Sequence, residues 1–286
     1  EPISTSSIFL SQRVLRRNIA ALMLLFVTFT LLAGAKIIPL PAYLPGESAM
    51  ILPVLESLPE GAPALLIFDY EPALAGELEV SAAPFVDRLI GYRHPHLTIL
   101  STSPTGAALA ERFMSTTQSR HNYIRGQNYI NLGYLPGGSA GILSFAENPH
   151  NAMPFEAAWN SAVAQGVNQF SDYAVIILLT DQSETARAWV EQTAARREGR
   201  PLLIVSSAQA APMIQPYLLS GQVNGLVNGL YGGAAFEQAT GFSSPVRSYW
   251  DAYNLSTLFV AMLIVIGGLW NFAAGVRARR QSLEEV

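Results

Sequence analysis

Four polar residues stand where this chain could do chemistry. Asp69 and Glu71 follow the apolar run ALLIF at 64–68, Asp181 comes just after YAVIILL at 173–179, and Ser206 follows PLLIV at 201–205. If the two aspartates converge, they form a carboxylate pair fit for acid–base work or for gripping a hard cation, with Ser206 as a neighbouring hydroxyl. The competing account is plain. Polar residues end buried strands and cap the next helix in nearly every fold of this kind.

Other chemical signals are weaker. PGGSAG at 136–141 could offer amides to an anion at a helix start. It is neither a G-x-G-x-x-G dinucleotide fingerprint nor a lysine-bearing phosphate loop, so it reads as a tight turn capped by Ser139. His94, His96, His121 and His150 match no zinc spacing, and the chain contains no cysteine. No G-x-S-x-G elbow is present. Neither a cofactor nor a metal is expected.

The elements that must position these residues alternate in type. Strand-like runs at 64–68, 97–100, 129–134, 173–179 and 201–205 are separated by helix-like stretches near 82–92, 105–118, 139–146, 155–165 and 183–198. Continuous apolar strands, each followed by a helix, predict a parallel sheet covered on both faces. Right-handed crossovers make that sheet a doubly wound, Rossmann-like or flavodoxin-like layer, an α/β fold. Ligands of such sheets gather beyond the carboxyl ends of the strands, where Asp69, Glu71, Asp181 and Ser206 stand.

Two further segments are built for lipid. Residues 19–35 carry no charge and are mostly apolar, and 255–274 are uncharged and long enough to cross a hydrocarbon core of about 30 Å. The first is short, but Ile37 and Ile38 extend it past a snorkelling Lys36. Arg13, Arg16 and Arg17 precede the first span, and Arg277, Arg279 and Arg280 follow the second. The positive-inside rule then puts both tails in the cytoplasm of a cell's inner membrane and the main domain outside. The expected layout is a tail at 1–17, a signal anchor at 18–38, an extracytoplasmic domain at 39–250, a second span at 251–274 and a tail at 275–286. Residues 41–250 hold 17 acidic and 10 basic residues, a net of −7, with no basic stripe, which excludes nucleic acid as a partner.

One stretch asks for a separate explanation. SGQVNGLVNGLYGGAAFEQ at 220–238 has glycine at 221, 225, 229 and 233, inside an uncharged run from 201 to 236. As a helix within 212–238 it would place Gly221, Gly225, Gly229 and Gly233 on one slowly drifting face beside Asn224 and Asn228. Its interior glycines would cost about 4 kcal/mol against alanine. A closely approaching backbone could offset that, whether from the same domain, the membrane or another subunit. The expectation is an interaction face.

YINLGYLPGG at 129–138 and PYLLSGQVNGLVNGLYGGAAFEQ at 216–238 resemble a family of uncharacterised bacterial and archaeal two-span membrane proteins. The likeness runs from Leu65 to Glu237, with Phe236 where tyrosine is common. It implies the same architecture and no known activity, and it singles out Tyr217, Ser220, Gln222 and Glu237. The favoured function is a non-catalytic structural or assembly subunit of a membrane complex, touching lipid and either copies of itself or other membrane subunits. The alternative is a ligand-binding or hydrolytic domain working at the sheet's carboxyl edge.

Overall fold

The computed structural model describes residues 5–34, 36–241 and 244–284, without the side chains of 5–11, 118–119 and 277–284. The side chains of Arg277, Arg279 and Arg280 therefore lie outside the described set. In chain order the elements are helix α1 (Thr5–Ala33), short helices α2 (Gly46–Ala49) and α3 (Ile51–Ser57), strand β1 (Pro63–Asp69) and helix α4 (Ala75–Arg93). Next come β2 (His96–Ser101), α5 (Gly106–His121), β3 (Tyr129–Tyr134), α6 (Gly138–Glu147), α7 (Pro149–Ala152) and α8 (Glu156–Trp159). The chain ends with β4 (Val175–Thr180), α9 (Ser183–Thr193), β5 (Leu202–Ser206), α10 (Ala211–Leu219), β6 (Gly225–Asn228), α11 (Gly229–Thr240) and α12 (Val246–Glu284).

Two compact units result, one made of Glu1–Pro39 with Arg247–Val286, the other of Leu40–Val246. In the first, α1 and α12 each contain a stretch long and apolar enough to cross a membrane, Gln12–Ala33 and Val246–Val276. Their apolar side chains point outward, as lipid-facing side chains do (Leu32 82% and Trp270 74% exposed). Phe26 and Phe259 stack with ring centroids 4.8 Å apart, so the helices touch within this unit.

The second unit is a six-stranded sheet in the order β3-β2-β1-β4-β5-β6, parallel throughout. That is the Rossmann order, with the strand sequence reversing direction between β1 and β4. The strands are nearly continuous apolar runs because both faces are covered. Leu65, Ile67, Ile176, Leu178, Leu202 and Ile204 pack with residues of α6, α9 and α10 on one face. Leu66, Phe68, Ile177, Leu179, Leu203 and Val205 pack with α4 and α5 on the other, where Phe236 of α11 also inserts. The core is thus two apolar layers separated by one sheet. The outer edge of β6 is closed by α2, whose Ser48 hydroxyl donates to the Leu226 carbonyl at 2.8 Å. A covered edge does not offer itself to another chain's strand.

The five anticipated strands are all present, each within about two residues of its expected place. The sixth was not anticipated. The 212–238 segment does not form one helix; it is α10, a turn, β6 and α11. The paired Asn-Gly steps bracket a four-residue strand because a parallel edge strand needs no hairpin at either end. Asn224 starts the ladder, its N–H donating to Leu202 O at 2.8 Å and its side-chain oxygen accepting from Leu202 N at 3.0 Å. Leu226 and Val227 then supply the buried strand residues.

Candidate functional site

The carboxyl edge of the sheet does collect the expected polar residues. Asp69, Thr180, Ser206 and Asn228 are register partners across β1, β4, β5 and β6. Alternation along each strand sends Asp69 to the face of Leu65 and Ile67. Asp181 lies one residue beyond the end of β4. Among the described residues the two aspartates have different hydrogen-bond partners. Each serves its own turn.

Asp69 is 4% exposed and has both oxygens occupied. Oδ1 accepts from the Ser101 hydroxyl at 2.9 Å and from Thr102 N–H at 2.5 Å. Oδ2 accepts from the Thr102 hydroxyl at 2.6 Å and from the indole N–H of fully buried Trp189 at 2.8 Å. A carboxylate held by donors on both oxygens ties the exit of β2 and the body of α9 to the end of β1. Both of its oxygens are engaged in holding the fold.

Asp181 is equally buried. Its Oδ2 accepts from Glu71 N–H at 3.1 Å, which fixes the turn leaving β1, and its carbonyl accepts from the Ser207 hydroxyl at 3.3 Å. Asp181 Oδ1 and Ser206 Oγ are buried with no hydrogen-bond partner among the described residues. Glu71 is exposed. Of the four candidates, the fold makes two turn anchors and a buried hydroxyl, and leaves one surface carboxylate. Among the described residues no group of three or more His, Asp or Glu side chains is placed to hold a metal ion.

PGGSAG opens α6, but Ser139 is not its cap. Gly137 occupies the cap position at φ 98° and no side chain caps the helix. A left-handed backbone is what glycine tolerates and serine does not, so the cap falls two residues earlier than expected.

The glycine stripe is a second correction. With the segment broken into three elements, its glycines share no face and each has a local reason. Gly221 adopts φ +75° in a turn, and Gly229 adopts φ +52° where β6 passes into α11. A Cβ on Gly225 would lie 2.4 Å from Ile51 Cγ1, and one on Gly233 would lie 2.6 Å from Ser81 Cα. Gly233 lets α11 press its backbone against α4, where Phe236 meets Phe85 edge-on at 6.1 Å. Asn224 precedes β6 and Asn228 ends it, so they do not make a helical ridge. The closely approaching backbone is the domain's own.

The positions singled out by resemblance are local braces. The Tyr217 hydroxyl donates to Glu191 at 3.0 Å, and Ser220 donates to Tyr217 O at 3.1 Å while accepting from Gln222 Nε2 at 3.0 Å. Glu237 is buried and accepts from both the N–H and the hydroxyl of Ser244.

Sequence reasoning missed three polar clusters. Asp87 on α4, 2% exposed in its side chain, meets Arg120 at 2.9 Å and His121 at 2.9 Å on α5. The Tyr70 hydroxyl donates to Glu79 at 2.9 Å, and Arg112 reaches the same oxygen at 2.5 Å. Glu111 accepts from Asn131 at 2.9 Å and from Tyr129 at 3.2 Å. Burial, reinforced by the adjacent carboxylate, pushes the Tyr70 phenol far above its usual range and the Tyr129 phenol up to about 12. These clusters join α4 to α5 and α5 to β3, across sequence distances that no local pattern signals. A scan against protein-family models finds no match to this chain, and searches of curated proteins and of solved structures find none either.

Proposed function

We propose that the protein is a two-pass membrane protein whose α/β domain stands outside the cytoplasm as a non-catalytic structural or assembly subunit, packing with a second copy of itself. The observation that carries this reading is the outer face of α10. Pro212, Met213, Pro216 and Leu219 recur at helical spacing and are exposed, Met213 by 63% and Leu219 by 85%. Large apolar side chains are seldom left together on a surface without a partner. No charge interrupts the stretch from 201 to 236, so this face meets its own copy without like-charge repulsion. Confinement in a bilayer raises the effective concentration of such copies further. The contact surface within 212–238 is thus α10 rather than the glycines. The engagement of both Asp69 oxygens in holding turns and α9 weighs against the hydrolytic alternative.

Native mass spectrometry of the full chain released from nanodiscs tests this. A dimer or higher oligomer is expected, reduced to monomer by Met213→Glu with Leu219→Glu while circular dichroism stays unchanged. A wild-type chain that is monomeric throughout overturns the proposal. Orientation has its own test, made clean because the chain contains no cysteine. Glu60→Cys should react with a membrane-impermeant maleimide added outside intact cells, whereas Arg13→Cys should react only after lysis.

A further inference from the structure

We infer that Asp251 is a clasp that locks the exit of the first span to the start of the second, so that the two spans move as one body. The chain leaving α1 presents two successive amides. Ile37 N–H donates to Asp251 Oδ2 at 3.1 Å and Ile38 N–H to Asp251 Oδ1 at 3.0 Å. One carboxylate thus holds two backbone donors that lie more than two hundred residues away in sequence. One residue along α12, the Trp250 indole N–H donates to Pro39 O at 3.0 Å, continuing the attachment to a third residue of the same segment. Asp251 is 2% exposed, and Arg247, one turn earlier on α12, sits 3.7 Å from its Oδ1.

The chemistry suits this use. Backbone amides beyond the end of a helix have no partner of their own, and an interface next to lipid offers little water to replace one. A buried carboxylate is costly unless paired and hydrogen-bonded, and here the amides and Arg247 supply both. Because the amides belong to consecutive residues, they fix the direction of the segment as well as its position. Sliding or turning α1 against α12 breaks both bonds at once. The depth of the first span, whose apolar run is the shorter, is therefore set by the second. This inference does not depend on self-association.

The test uses the full chain in nanodiscs carrying Phe26→Cys and Phe259→Cys, at the stacked pair well removed from the clasp. The rate of linking by a short bismaleimide is the readout. Rapid linking is expected in this background. Asp251→Asn and Asp251→Ala should slow it by about tenfold, the effect of losing hydrogen bonds to a charged acceptor, and Asp251→Glu should recover part of the rate. Trp250→Phe keeps the ring, deletes one donor and should slow linking by a smaller factor. Unchanged rates in the Asp251 variants overturn the clasp. If those variants are not recovered from the membrane, Trp250→Phe decides alone: slower linking supports the clasp and an unchanged rate removes it.

Discussion

Asp69 shows how far a residue's position can be read without its role. Its place at the end of an apolar strand was legible from the sequence. Its bond to Trp189 was not, because Trp189 lies 120 residues away and no local pattern connects them. Asp69→Ala strands buried donors on Thr102 and Trp189, so chemical denaturation should show a loss of about 3–5 kcal/mol. Asp69→Asn keeps the shape and should cost less. Tyrosines make a second prediction at this scale. Burial pushes Tyr70, Tyr123 and Tyr173 well above the usual phenol range. In the unfolded chain these phenols ionise near pH 10, while in the fold they keep their protons to higher pH. Above that point the folded state binds more protons than the unfolded one, so stability falls as pH rises. Below it, these tyrosines contribute fully. Spectrophotometric titration should find a slow phenolate fraction that appears only with alkaline unfolding.

At the scale of elements, periodicity served well where a segment obeyed one period. The run at 173–179 could be placed because a buried parallel strand is apolar without interruption. The 212–238 segment failed because spacing by four is compatible with a helix and equally with three elements that each happen to need a glycine. What decides between them is non-local, namely the pairing of Leu226 and Val227 with Ile204 and Val205. Glycine substitutions separate internal packing from external assembly. Gly233→Ala drives a methyl group against Ser81 and should destabilise the monomer by about 1–3 kcal/mol, measured by thermal melting. Gly221→Asn should be nearly neutral, since the site is open and asparagine tolerates φ > 0. Were Gly233→Ala to leave the melt unchanged and abolish association, the ridge would have to be restored as an interface.

For the molecule as a whole, the doubly wound class was legible because class follows from the order of element types. The pairing order of the strands was not, because it depends on contacts between segments far apart in the chain. The division into Leu40–Val246 and a two-helix unit implies that the domain carries its complete core. A fragment of those residues should therefore be soluble, with a mixed α/β circular dichroism spectrum and one cooperative melt. A molten spectrum would show that the core needs its anchor. Ser48 adds a matter of timing. Its acceptor on Leu226 is made 178 residues later, so the opening of the domain must wait beside an unfinished layer until nearly the whole domain has been synthesised. This seam joins the beginning of the domain to a strand near its end. A chain that stops short of Leu226 lacks that acceptor and keeps the outer border of the sheet unfinished.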